Sequence, residues 1–88
     1  MLRVFVAGHC SPCLTAMAMV DRLRQARPQL PVFLIDVDSP GADVPGEVIG
    51  TPEYLWDDRV LFLGNPDEAE LMAAVDREWA VGLEGGAE

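Results

Sequence analysis

The stretch LRVFVAGHCSPCLTAMAMVDRLRQARPQLPVFLIDV, residues 2–37, changes its hydrophobic period twice, and the two changes decide the fold. Residues 2–7 are rich in Val and Phe up to Gly8, which suits a strand buried on both faces. From Ser11 the apolar positions Cys13, Ala16, Met17, Val20 and Leu23 fall at helical spacing, with Thr15, Arg22 and Gln25 on other faces, until Pro28 ends the pattern. Pro12 sits in the first turn, where its missing N–H costs little. Residues 31–37, PVFLIDV, return to strand character. Strand, helix and strand in this order predict a right-handed βαβ unit with two parallel strands. Cys10 then falls at the carboxyl end of the first strand, where open α/β sheets place their chemistry.

Working outward, DSPGADVPGEVIG (38–50) holds too many prolines and glycines for a regular helix and reads as a loop with at most one helical turn within 44–49. Thr51-Pro52 then opens a hairpin, 53–57 and 59–63, turning at Asp57-Asp58. In Asn65-Pro66-Asp67-Glu68 the asparagine is placed to cap a helix, Pro66 to take its first position and Glu68 to reach back to the cap. Leu71, Met72, Val75 and Trp79 form the buried stripe of that helix, and Gly82 is its expected end. The order βαβ-ββα predicts an α/β fold: a four-stranded mixed sheet with one helix on each face. The expected organisation is one domain, residues 1–81, followed by a flexible tail, 82–88.

Composition narrows the function. The chain has 88 residues, half of them apolar, and a net charge of −9. Arg3, Arg22, Arg24 and Arg27 face only Asp21 within residues 1–35, whereas residues 36–88 hold the other fourteen acids against Arg59 and Arg77. Nucleic acid is excluded as a partner by this balance. The charge reads as a solvated surface, or more sharply as a neutral-to-basic patch around the cysteines within an acidic protein. The apolar run at the start is too short for a secretory or membrane segment, so a cytoplasmic, monomeric protein without membrane contact is expected. Two cysteines this close could not staple distant segments, which weighs against a structural disulfide framework.

Cys10 and Cys13 form a C-x-x-C pair between a strand and a helix, a redox signature. A thiol attacks a disulfide only as thiolate, and a helix N-terminus favours that form. Cys10, just before the helix, is the expected nucleophile, and Cys13, one turn inside, the resolving thiol. A metal reading needs four ligands, and only Cys10, Cys13 and the single His9 are at hand, so no metal site is expected within one chain. His9 has two readings: a tuner of the Cys10 thiol, as a cation or a proton shuttle, or an exposed loop residue. Tyr54, Trp56 and Trp79 read as packing, as do Met17, Met19 and Met72.

On Cys-Ser-Pro-Cys after the first strand, Thr51-Pro52 before the hairpin and RVLFLGNPDEAEL at the last strand and helix, the chain resembles the thioredoxin superfamily over residues 2–79, especially its very small thioredoxin- and glutaredoxin-like disulfide proteins. The resemblance implies that Pro52 is cis and lies against the sulfurs, and that the Thr51 backbone pairs with substrate. The chain departs from thioredoxins at His9, where they carry Trp, and at Val4, where they bury an Asp. It departs from glutaredoxins in offering only Gly64-Asn65-Pro66-Asp67 where they clamp glutathione.

The leading expectation is therefore a thiol-disulfide oxidoreductase that exchanges the Cys10–Cys13 pair with protein disulfides, needs no cofactor beyond that pair, and is regenerated by an electron-donor reductase. Two alternatives stand beside it. One is a non-catalytic binding module resembling the thioredoxin-fold circadian-clock proteins, which lack the cysteine pair. The other is a metal-binding protein using Cys10 and Cys13.

Overall fold

The structure is a computed structural model that describes residues 1–86, with side chains through residue 82. Its elements are β1 (Leu2–Val6), α1 (Ser11–Ala26), β2 (Val32–Asp36), β3 (Glu53–Trp56), β4 (Arg59–Leu63) and α2 (Glu68–Gly86). They form a four-stranded sheet in the order β2-β1-β3-β4. β1 pairs parallel with β2, and antiparallel pairs join β1 to β3 and β3 to β4. The mixed α/β sheet is thus as the sequence predicts. No described helix is long and apolar enough to cross a membrane.

Side chains alternate across a strand, so Leu2, Val4 and Val6 leave β1 on one face and Arg3 and Phe5 on the other. The first face carries the core. Leu2, Val4, Val6, Tyr54 and Trp56 share one buried cluster with Cys13, Ala16, Met19, Val20 and Leu23 of α1 and with Leu71 and Val75 of α2. Both helices therefore pack on the same face, which corrects the expectation of one helix on each. They touch directly: Arg22 pairs with Glu68, and the Arg27 guanidinium donates two 2.8 Å hydrogen bonds to Asp76. Those bonds hold the Asp76 carboxyl below its ordinary range. The link is therefore complete above that range and is lost as acid protonates Asp76.

The loop between β2 and β3 meets the opposite face at Glu53. Phe5, Glu53 and Leu55 there are fully buried, and Glu53 Oε1 accepts the Ile49 and Gly50 amides at 2.9 and 3.3 Å. That loop contains turns but no helical segment, closed by bonds such as Ser39 N to Asp36 O and Val48 N to Pro45 O. The hairpin turn holds Asp57 at φ +53°, a left-handed conformation that Asp tolerates, and Arg3 donates to its carbonyl at 2.7 Å.

α2 departs from its expected limits at both ends. It starts at Glu68, behind Asp67, whose carbonyl accepts the Leu71 amide at 2.9 Å and whose own amide reaches Glu70 at 3.4 Å. Asn65 does not cap; its amide group donates to the Pro12 carbonyl and its oxygen accepts from Tyr54, both at 2.8 Å. At the other end the helix continues through Gly82 to Gly86, so the expected tail boundary at 82 falls inside it. Residues 87–88 of that tail lie outside the described residues.

Tyr54, the single tyrosine, is fully buried, and burial pushes its phenol up to about 12. Because the folded value lies above the ordinary value of about 10, this group's share of stability is complete below pH ~10 and is lost as pH rises through the folded value. Ultraviolet titration of the phenolate should give a midpoint near 12, with loss of tertiary structure following ionisation. A midpoint at the value of free tyrosine, with the fold retained, would contradict the packing described.

Candidate functional site

The polypeptide leaves β1 at Val6, crosses Ala7–His9 and enters α1 with Cys10 as its N-cap residue in extended conformation (φ −109°, ψ 105°) and Pro12 in the first turn. Among the described residues no side chain caps this end, so its first amides have no side-chain acceptor. Cys13 N donates to Cys10 O at 3.1 Å, closing the turn that brings the two residues together. Their Cα atoms are 5.2 Å apart and their sulfurs are joined in a disulfide. That separation lies within the usual range for a bridge.

The two sulfurs are not equivalent. Cys13 is 1% exposed and belongs to the core cluster, whereas Cys10 is half-buried at its edge. The Ala7 amide donates to Cys13 Sγ at 3.4 Å. Cys10 Sγ lies 3.7 Å from the Thr51 carbonyl oxygen, a packing contact in the disulfide, where the sulfur has no proton to donate. Thr51-Pro52 is cis, and the Pro52 carbonyl accepts the Gly64 amide at 2.8 Å, tying this segment to the end of β4. The sheet register thus brings Cys10, Cys13, Thr51 and Pro52 to one place. His9 is exposed beside them. Among the described residues no three His, Cys, Asp or Glu side chains gather as a metal site.

Beside Cys10 opens a groove of about 530 Å³, between the first half of α1 and the end of edge strand β2. Leu14 and Met17 line it from the helix and Leu34 and Asp36 from the strand. Met17 is therefore groove wall, 40% exposed, and not the core filler its helical spacing predicts. Nor do arginines surround the cysteines. Arg3 bonds the β3–β4 turn, Arg24 donates to the Val32 carbonyl at the start of β2, and Arg22, Arg27 and Arg59 pair with Glu68, Asp76 and Glu78. Of the two charge readings, the neutral-to-basic patch gains no arginine among the residues lining the groove beside the pair, because α1 carries its arginines in its second half, away from Cys10.

Two residues shape the site in ways the sequence did not show: Asn65 was read there as a helix cap and Glu53 was not singled out. Asn65 ties β3 to the first turn of α1 through Tyr54 and Pro12. Glu53 holds the backbone leading into Thr51, and its Oε2 is buried without a partner. The available signal for Glu53 was an acid directly after Pro52 at the head of the apolar run YLW. No family model, curated protein or solved structure matches this chain.

Proposed function

We propose that the chain is a thiol-disulfide oxidoreductase with a thioredoxin-like fold, its redox group the Cys10–Cys13 pair. The observation that carries this reading is the asymmetry of the pair: a half-exposed Cys10 at an uncapped helix N-terminus, bonded to a buried Cys13. In the reduced protein the Cys10 thiolate attacks one sulfur of a partner disulfide. A Cys10–partner bond forms, and the partner's other sulfur leaves as a thiolate. Cys13 then gives up its proton and attacks Cys10 Sγ, forming Cys10–Cys13 and releasing the second partner thiolate. Two electrons pass from the dithiol to the partner, and a donor reductase restores the dithiol. The reverse sequence oxidises a partner dithiol. Thr51 supports the reading because its carbonyl already lies against Cys10, where an extended substrate backbone would pair with it. A lone exchangeable pair also suits the reducing cytoplasm better than a stapling role.

Equilibration of the pair with glutathione redox buffers tests the reading. A two-electron midpoint within the range of known exchange proteins, about −270 to −120 mV, is expected. Reduced protein should also convert a peptide disulfide to thiols mole for mole. A pair that transfers no electrons to any disulfide would overturn it. In the same reduced protein, alkylation at neutral pH mapped by peptide mass should mark Cys10 well before Cys13. Faster labelling of Cys13 would reverse the assigned roles.

A further inference from the structure

We propose that the groove beside Cys10 receives the segment flanking a partner's reactive cysteine, and that this segment carries an apolar side chain next to a basic one. The inference rests on the exchange reading above and names the substrate class for that site. The groove's volume, about 530 Å³, is that of a side-chain binding site rather than a surface dimple. Its walls are apolar and open to solvent: Leu14 is 69% exposed and Met17 40%, one helical turn apart on α1, facing Leu34 on β2. Contiguous exposed apolar side chains beside a half-exposed redox sulfur mark a contact surface. An apolar residue adjoining the partner's cysteine fills this space while its sulfur meets Cys10.

Charge selects the rest of the segment. Among the described residues Asp36 is the one acid that lines the groove and His9 the one imidazole; Asp36 Oδ1 accepts the Asp38 amide at 2.9 Å, which holds the carboxylate in place. No arginine lines the groove, and the chain has no lysine. The arginines whose contacts are described bond to the β3–β4 turn, to the start of β2 or to acids of α2. A net charge of −9 with no arginine among the described lining residues attracts a cationic segment and repels an anionic one, over a distance set by ionic strength. Anionic glutathione disulfide meets the Asp36 carboxylate here and, among the described residues, no arginine or lysine for its own carboxylates, so it is a poor occupant.

The test uses the full chain, reduced, with synthetic peptide disulfides identical except beside cysteine: Leu-Lys, Leu-Glu and Gly-Lys versions, and glutathione disulfide as a fourth substrate. Exchange rates are measured at low and high salt. The Leu-Lys peptide is expected to react about tenfold faster than Leu-Glu at low salt, an advantage that shrinks as salt rises. Asp36→Asn should narrow that gap, and Met17→Ser should narrow the gap between Leu-Lys and Gly-Lys peptides. Thiol counts on each variant before the assay confirm that the Cys10–Cys13 pair is intact. Equal rates for the three peptides, or a faster reaction with glutathione disulfide, would overturn the inference and leave the exchange reading standing. Failure to react with all four would overturn both.

Discussion

Cys13→Ser should turn the protein into a trap, accumulating a covalent adduct between Cys10 and a substrate cysteine, while Cys10→Ser should accumulate almost none. The expectation follows from the geometry of the pair. With Cα atoms 5.2 Å apart, Cys13 is held within bonding reach of Cys10 Sγ, so it resolves a mixed disulfide by an intramolecular step. Well-placed intramolecular groups act at effective concentrations far above any solution thiol, so resolution by millimolar external thiol in Cys13→Ser should be slower by at least about a hundredfold. Cys10→Ser leaves only Cys13, 1% exposed and packed in the core cluster, where no partner sulfur can approach. Incubation of each variant with a peptide disulfide, followed by intact-mass measurement, reads the outcome directly. Equal adduct formation by the two variants would mean that the pair has no preferred order of attack, and the mechanism proposed here would fail.

The parts of this site that lie within one local segment were legible in the sequence. Cys10 and Cys13 sit where the period changes from strand to helix, and that change alone set which cysteine precedes the helix and which is buried in it. The hairpin was legible for the same reason: two apolar runs separated by Asp57-Asp58, the first of which takes the positive φ the turn requires. The shared helix face was not. Periodicity shows that each helix has one apolar stripe, but the face of the sheet that receives it depends on what else covers β1. Here the other face meets the loop between β2 and β3 at Glu53, and that loop is a segment without any period. The start of α2 was read at Asn65, three positions before Glu68; the distant contacts of Asn65 with Pro12 and Tyr54 take it out of that role and the helix starts at Glu68. Gly82 costs a helix interior about 1 kcal/mol relative to Ala, too little to end α2, which runs on to Gly86. Thr51 beside Cys10 followed from the resemblance, since only the β1–β3 register brings them together. The groove and Glu53 arise wholly from such long-range placement.

Glu53→Ala should be strongly destabilising for a polar position, with an expected loss of about 2–4 kcal/mol in unfolding free energy. Glu53 is fully buried, and its Oε1 is the acceptor for two amides, Ile49 N at 2.9 Å and Gly50 N at 3.3 Å. Truncation to Ala removes the acceptor of both part-buried amides and leaves a cavity as well, and each unsatisfied buried donor costs about 1–3 kcal/mol. For a domain of this size, whose whole stability is on the order of 5–10 kcal/mol, that is a large share. Glu53→Gln keeps an acceptor for both amides but sets an amide donor where Oε2 has no partner among the described residues, so its cost should be about 1–2 kcal/mol, below that of alanine. Denaturant unfolding of the oxidised forms measures the difference. Hydrogen exchange locates it: in Glu53→Ala, Ile49 and Gly50 should lose protection while the β1–β2 amides keep theirs. The consequence for function runs through Thr51, next in the chain after Gly50. Once the clamp is gone, the Thr51 carbonyl is no longer held against Cys10 Sγ, and exchange with peptide disulfides should slow in Glu53→Ala more than in Glu53→Gln. An alanine variant as stable as the parent would show that the two amides find other partners. A glutamine variant as damaged as alanine would move the role of Glu53 from hydrogen-bond acceptor to its ionisable carboxyl group.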